Sequence, residues 1–326
     1  MKIAVYLEHI NNSITPSSLE ALGAATQAGE AIALITGSDT SLVAAEAFAY
    51  GATTVHVWQD GSLTNFSAEA ICDCLSPFIK ASGVSLMILP NSFQAHELAG
   101  MLSVDLDASL ITQVTAFTFD GDRVGVTRPI FEGKAFETFH ANGPVTLITI
   151  RARAFTPATK TTATGNAHTE QTSGTPMIKV ISRDEPEKGV SLGNAKAVVS
   201  IGRGITNDPK GTDEMANAAS GLKLAGELAA LLGGAVGASR AIVDAGYIPY
   251  ANQVGQTGKV VAPDLYIAAG ISGSIQHIVG MRSSKFVLAV NKDPDAPIYS
   301  VADLGVIADL FEFLPALAAE VKASKG

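Results

Sequence analysis

Short apolar runs alternate with helix-length stretches along the first hundred residues, and that alternation predicts an α/β fold. Residues 2–7, 31–35, 54–58 and 85–89 are compact apolar segments, the pattern of strands buried on both faces. Between them lie segments such as SSLEALGAATQAG and TSLVAAEAFAYG, long enough for helices, so a parallel, doubly wound sheet is expected. Ser17 and Ser18 offer a hydroxyl cap to the first helix, and Gly29 and Gly51 offer stops. Residues 114–150 differ in texture. Asp120-Gly121-Asp122 and Asn142-Gly143 are turn sequences between β-rich runs, which predicts antiparallel hairpins added to the first sheet.

From Thr156 to Gly193 the chain turns polar, with TKTTATGNAHTEQTSGT and RDEPEKG giving little to bury. This reads as a connection, dividing the chain into domains 1–188 and 189–326. KAVVSI at 196–201 opens a second sheet. ITNDPKGTDEMANAAS then reads as a long surface loop before a helix over 221–232, where Leu222, Leu224, Ala225, Leu228 and Leu231 recur at helical spacing. Leu265-Tyr266-Ile267-Ala268-Ala269 has the length of a buried strand and passes through Gly270-Ile271-Ser272-Gly273-Ser274 directly into a predicted helix. Such a turn points free N–H groups and the positive end of a helix dipole at whatever sits in it. The spacing Gly270-x-x-Gly273 is not the GxGxxG dinucleotide fingerprint.

Composition narrows the function classes. With 47% hydrophobic and 16% charged residues, 326 residues can fill two cores. The net charge of −9 and the lack of any basic run argue against a nucleic-acid partner. Lys223, Glu227 and Asp264 interrupt the most apolar stretches short of the ~18–20 residues a membrane span needs. MKIAVYLEHI has a strand pattern and no export-signal core, so a cytoplasmic location is expected. Cys72 and Cys74, the two cysteines, are expected to be reduced thiols, and a metal site, which needs about four ligands, is not expected. His9, His56, His96, His140 and His168 are scattered, without a Ser-His-Asp, HExxH or Walker pattern. No catalytic residue is therefore assigned, and the chemistry is expected to belong to a cofactor.

Five ordered segments carry a family likeness: Ile201-Gly202-Arg203-Gly204, Val236-Gly237-Ala238-Ser239-Arg240-Ala241, Gln253-Val254-Gly255-Gln256-Thr257-Gly258, LYIAAGISGSIQH, and Val290-Asn291-Lys292-Asp293-Pro294 with VADLGVIADLFEFLP after it. Together they resemble the C-terminal FAD domain of the electron transfer flavoprotein alpha subunit, densely over residues 196–320. The first half is similar more loosely, through IAVYLEH, LAGMLSVDLDASLITQV, TRPIFEGKAFETF and RARAF. The resemblance implies two Rossmann-like α/β domains. The first is an adenine-nucleotide-hydrolase-like parallel sheet with antiparallel hairpins, packing on a beta subunit; the second is an FAD-binding, DHS-like parallel sheet with a C-terminal helix.

It also implies residue roles. His277 would lie at the flavin O2 edge, Arg240 against the ring, and Gln256 and Thr257 near N5 and C4=O; His277, Arg240 and Thr257 would tune the flavin. Ser239, Ser272, Gly273, Ser274, Ile275 and Gln276 would surround the pyrophosphate and ribityl chain, with Arg203 adding charge. Asn291 and Asp309 would reach the adenosine half, and Val254, Gly255 and Leu310 would complete the FAD contacts. Taken alone, His277 also reads as a helix cap, Arg240 as a surface charge, and Gln256-Thr257-Gly258 as an ordinary turn. The activity implied is that of an FAD electron carrier in a heterodimer with a beta subunit. Its donors would be flavoprotein dehydrogenases, such as the acyl-CoA dehydrogenases of fatty acid β-oxidation, and its acceptor a quinone oxidoreductase or similar redox protein. An electron-bifurcating, NADH-dependent assembly is the alternative of the same kind. An NAD or thiamine pyrophosphate enzyme and a nucleotide-binding sensor are alternatives of other classes; the missing GxGxxG and acidic diphosphate-metal motif speak against the enzyme. The tail ADLFEFLPALAAEV, with only Asp309, Glu312 and Glu320 to solvate it, is expected to add partner-covered surface.

Overall fold

The computed structural model describes residues 2–121, 123–133, 135–182, 192–193, 195–211 and 213–325. The chain divides into two compact units, Met1–Asp184 and Glu185–Gly326. The expected boundary between 188 and 189, and the stretch RDEPEKG, lie outside the described residues.

In the first unit, β1 (Lys2–Tyr6) leads through a small ladder of β2 (His9–Ile10) and β3 (Ser13–Ile14) to α1 (Pro16–Ala28), β4 (Glu30–Gly37), α2 (Ser41–Ala49) and β5 (Thr54–Gln59). Next come α3 (Ala68–Ser82), β6 (Leu86–Leu89), α4 (Phe93–Asp105) and β7 (Ser109–Val114). Consecutive strand residues face opposite cores: Ile3, Val5 and Ile88 enter one, while Ala4, Met87 and Leu89 enter the other. That two-sided burial is why the strands read as unbroken apolar runs. The cap of α1 is Thr15, whose hydroxyl accepts from the Ser18 N–H, rather than Ser17 or Ser18. Pro16 fills the first helical position, where a missing N–H costs nothing.

The turn-rich region departs from expectation. Strands β8 (Ala116–Asp120), β9 (Arg123–Ile130) and β10 (Ala135–His140) form an antiparallel sheet of their own. Fully buried β11 (Thr146–Ile150) instead returns to the main sheet as a parallel strand between β6 and β7. Asn142-Gly143 therefore closes no hairpin, and Asp122 lies outside the described residues. The polar stretch after Thr156 is more than a connection. Ala158 N–H donates to the Leu19 carbonyl (2.8 Å), Thr161 N–H to Ala49 (2.6 Å) and Glu170 N–H to Val57 (2.8 Å). Its β12 (His168–Thr169) adds a parallel strand beside β5, completing the order β12-β5-β4-β1-β6-β11-β7. Backbone hydrogen bonds hold this strap together with side-chain contacts such as Glu170 to His56 at 2.7 Å, and neither kind shows in hydropathy.

The second unit runs β13 (Ala197–Ile201), α5 (Glu214–Leu231), β14 (Ala235–Ala238), α6 (Arg240–Asp244), β15 (Leu265–Ala269), α7 (Ile275–Met281), β16 (Val287–Asn291), β17 (Leu304–Ile307) and α8 (Leu310–Lys325). Its five strands are parallel in the order β14-β13-β15-β16-β17. The chain leaves β13 toward one edge and returns on the other side at β15, so the switch point lies between those strands. Helix α5 starts earlier than expected, inside the supposed loop, because the Asp213 carboxylate caps it by accepting from the Ala216 N–H at 2.8 Å. Leu310 and Leu314 of α8 are buried in the core formed with α5, and Phe311, Phe313 and Leu317 pack against it. The tail therefore packs part of its apolar face within its own unit.

Candidate functional site

Every residue singled out for FAD contact lies at or beyond the carboxyl ends of the second sheet, or in the 254–257 loop that adjoins it. Arg203 follows β13, Ser239 and Arg240 follow β14, and Ser272, Gly273 and Ser274 lead from β15 into Ile275, Gln276 and His277 of α7. Asn291 ends β16, while Asp309 precedes α8 and Leu310 begins it. The segment Val254, Gly255, Gln256, Thr257 is drawn to the same edge, since Val254 N–H donates to the Ala238 carbonyl (2.9 Å) and Gln256 N–H to the Gln276 carbonyl (2.8 Å).

The turn after β15 is arranged to present donors. Asn291 Nδ2 donates to the Ile271 carbonyl at 2.9 Å, and Ile298 N–H donates to the Ser272 carbonyl at 3.0 Å. With these carbonyls engaged, the backbone N–H groups of residues 271–276 have no protein acceptor among the described residues. Consecutive free N–H groups of this kind form an anion cradle. Glycine is required for its shape: Gly270 and Gly273 have φ of 63° and 90°, and a Cβ on Gly273 would fall 2.2 Å from the Ile298 nitrogen. On the opposing turn, a Cβ on Gly202 would fall 2.3 Å from the Gly270 carbonyl.

His277 is 5% exposed, and its Nε2 lies 2.9 Å from the hydroxyl of fully buried Tyr266. Its Nδ1, like the Oγ of Ser239, is buried without a hydrogen-bonding partner, a costly state that a bound polar group would relieve. Burial drives the imidazole pKa down to about 4, a shift partly opposed by the Val254 backbone, so the ring is neutral at pH 7. Thr257 Oγ accepts from Gln253 Nε2 at 3.0 Å, which leaves its own proton to donate. Arg203 is exposed. Arg240 is exposed too and pairs with Asp244 at 3.0 Å. Asp309 accepts from the Phe311 N–H at 2.8 Å, capping α8, and pairs with Lys292 at 2.6 Å.

Sequence reasoning missed Tyr266, Gly280 and Lys292. A tyrosine in an otherwise aliphatic strand was the available signal, because a buried phenol needs a partner. Among the described residues no cluster of His, Cys, Asp and Glu could hold a metal ion. Both cysteines are free and buried, and burial pushes the Cys72 thiol up to about 11, which keeps it protonated.

A parallel sheet whose switch point carries a free N–H cradle, with unpartnered buried polar atoms beside it, defines an α/β protein built for a phosphate-bearing cofactor. Residues 3–185 match the family model described as the electron transfer flavoprotein domain, and residues 191–282 match the electron transfer flavoprotein FAD-binding domain. The electron transfer flavoprotein subunit alpha of Bacillus subtilis is 37% identical over 297 residues, covering 90% of this chain and 88% of its own length. A probable mitochondrial alpha subunit of Caenorhabditis elegans is 37% identical over 320 residues, covering 97% and 92%. The alpha subunit of Syntrophomonas wolfei is 36% identical over 331 residues, covering 98% of each chain. The chain belongs to the electron transfer flavoprotein alpha-subunit family, and its cofactor is FAD.

The residues present fit that cofactor: the cradle supplies N–H donors for a diphosphate, and the orphaned His277 Nδ1 and Ser239 Oγ offer polar contacts nearby. No helix among the described residues is long and apolar enough to cross a membrane.

Proposed function

We propose that this chain is the FAD-carrying subunit of a cytoplasmic heterodimer with a beta subunit. It takes electrons from flavoprotein dehydrogenases, acyl-CoA dehydrogenases among them, and yields them to a redox acceptor such as a quinone oxidoreductase. The observation that carries the reading is the free N–H run at 271–276 beside the unpartnered Nδ1 of His277. FAD, when bound, supplies the electron storage, and the chain binds, orients and tunes it. In this reading residues 272–276, Ser239 and Arg203 hold the diphosphate and ribityl chain. His277, Arg240, Gln256 and Thr257 face the ring, Val254 and Gly255 shape the loop beside it, and Asn291, Asp309 and Leu310 lie toward the adenosine half.

Co-expression with a beta subunit tests this. The purified heterodimer is expected to show flavin absorption with one FAD on this chain and to be reduced by a dehydrogenase with its substrate. The chain expressed alone is expected to be flavin-poor. A colourless heterodimer, or a fully flavinylated monomer, would overturn the reading.

Arg240 gives a second test. To face the ring it must leave Asp244, and an exposed i,i+4 pair holds it by only ~0.3–0.5 kcal/mol. Arg240→Ala should therefore lower the flavin reduction potential by an equivalent of ~1–3 kcal/mol, the range of a charged hydrogen bond. Arg240→Lys should restore part of it, lacking the planar fork. An unchanged redox titration would assign Arg240 to the surface.

A further inference from the structure

We propose that Tyr266 is a positioning residue: it fixes His277 in the tautomer that carries its proton on Nδ1, so the ring presents a donor to the flavin. The inference rests on the reading that His277 faces the flavin edge, and adds what sets the character of that contact.

Tyr266 has no exposed surface and lies in the core face of β15 with Val198, Ala268 and Met281. Its hydroxyl sits 2.9 Å from His277 Nε2. Burial raises the Tyr266 pKa well above the ordinary phenol range, so the phenol keeps its one proton, which either goes to Nε2 or turns away from it. Ser200 decides the direction. Strand pairing sets Ser200 opposite Ala268 and Val198 opposite Tyr266, so Ser200 and Tyr266 are diagonal neighbours on one face. The Ser200 hydroxyl is buried, has no well-formed partner, and tempers the rise in the Tyr266 pKa, as a proton directed at the phenol oxygen does.

A Ser200 proton directed at the phenol oxygen leaves the phenol proton to go to Nε2. A neutral imidazole that accepts at Nε2 must hold its proton at Nδ1. That atom is buried and makes no well-formed hydrogen bond, with the Val254 backbone the protein group that acts on the ring. The reverse chain would leave Nδ1 as an acceptor and give the Ser200 proton no acceptor among the described residues. A donor at Nδ1 strengthens as negative charge gathers on the ring edge it faces, whereas an acceptor there would oppose the charge. Donation from Tyr266 also polarises the imidazole and makes the Nδ1–H a better donor.

The test uses the FAD-loaded protein co-expressed with a beta subunit and labelled with 15N-imidazole histidine, with His277 assigned by its loss in His277→Gln. In the native sequence the His277 nitrogens should show a protonated Nδ1 and an unprotonated Nε2. In Tyr266→Phe, which removes one oxygen, that pattern should become mixed or reversed. The reduction equilibrium should shift toward oxidised flavin by about tenfold, one hydrogen bond's worth, with FAD content retained. Ser200→Ala should move both readouts in the same direction by less, and it decides the matter should Tyr266→Phe not accumulate.

A merely structural Tyr266 would lower thermal stability and leave tautomer and potential unmoved, which would overturn the inference. Finding the proton on Nε2 in the native sequence would do the same. If His277→Gln itself leaves the potential unchanged, the flavin-edge reading fails; if it lowers the potential while Tyr266→Phe and Ser200→Ala do nothing, only the positioning role fails.

Discussion

Gly280→Ala is expected to deplete the protein of FAD and to destabilise the second unit by ~1–3 kcal/mol or more, the cost of forcing atoms into a filled space. Gly280 lies in α7, and a Cβ there would fall 2.3 Å from the backbone nitrogen of Gly255 and 2.4 Å from its Cα. Those neighbours are backbone, with no rotamer to escape into. Two hydrogen bonds clamp the same contact, from Val261 N–H to the Gly280 carbonyl at 2.7 Å and from Gln256 N–H to the Gln276 carbonyl at 2.8 Å. An added methyl must part α7 from the 254–257 segment, and both carry residues assigned to the flavin. Gly226→Ala is the control: it is also helical, a Cβ there meets nothing within 4 Å, and it should be neutral or stabilising by about 0.5–1 kcal/mol. Thermal melts and the flavin-to-protein absorbance ratio of the two variants make the comparison. A Gly280→Ala protein with native flavin content and melting temperature would show that α7 and the loop are not held as tightly as described.

The contrast between Gly280 and Gly226 marks where the sequence was legible and where it was not. The strand Leu265–Ala269 and the turn into α7 could be read directly, because two-sided burial demands an unbroken apolar run and the turn demands glycine. The close approach of Gly280 to Gly255 could not, since it joins positions twenty-five apart and nothing local distinguishes it from the open space at Gly226. The same division holds elsewhere. The start of α5 at Glu214 was hidden by polar residues that resemble a loop, although Asp213 with its capping carboxylate was in view. The strap containing β12 is held by main-chain and side-chain hydrogen bonds, which leave no mark on hydropathy. Within the candidate site, a motif singles out His277. Its partner Tyr266 passed as an ordinary strand residue, although a phenol hydroxyl among aliphatics is a demand for a hydrogen bond.

Acidification should weaken the second unit through a window set by His277. Burial holds its pKa at about 4, against 6.5 for a free imidazole. Between those values the unfolded chain takes up a proton that the folded chain refuses, so folding stability rises with pH across the window. The contribution is complete above about pH 6.5, falls as the pH drops toward 4, and levels off below that. The gap corresponds to a loss of ~2–3 kcal/mol between pH 7 and pH 4.5, a large share of the stability of an ordinary domain. Other groups titrate over the same range, and comparison with His277→Asn removes what the two proteins share. Hydrogen–deuterium exchange of the β15 backbone in the full chain reads the stability of this unit separately from the first. The native protein should lose ~2–3 kcal/mol more protection than His277→Asn on going from pH 7 to 4.5. Parallel pH profiles for the two would mean that the imidazole charges in place, with water or a rotated ring reaching the position now buried against Tyr266.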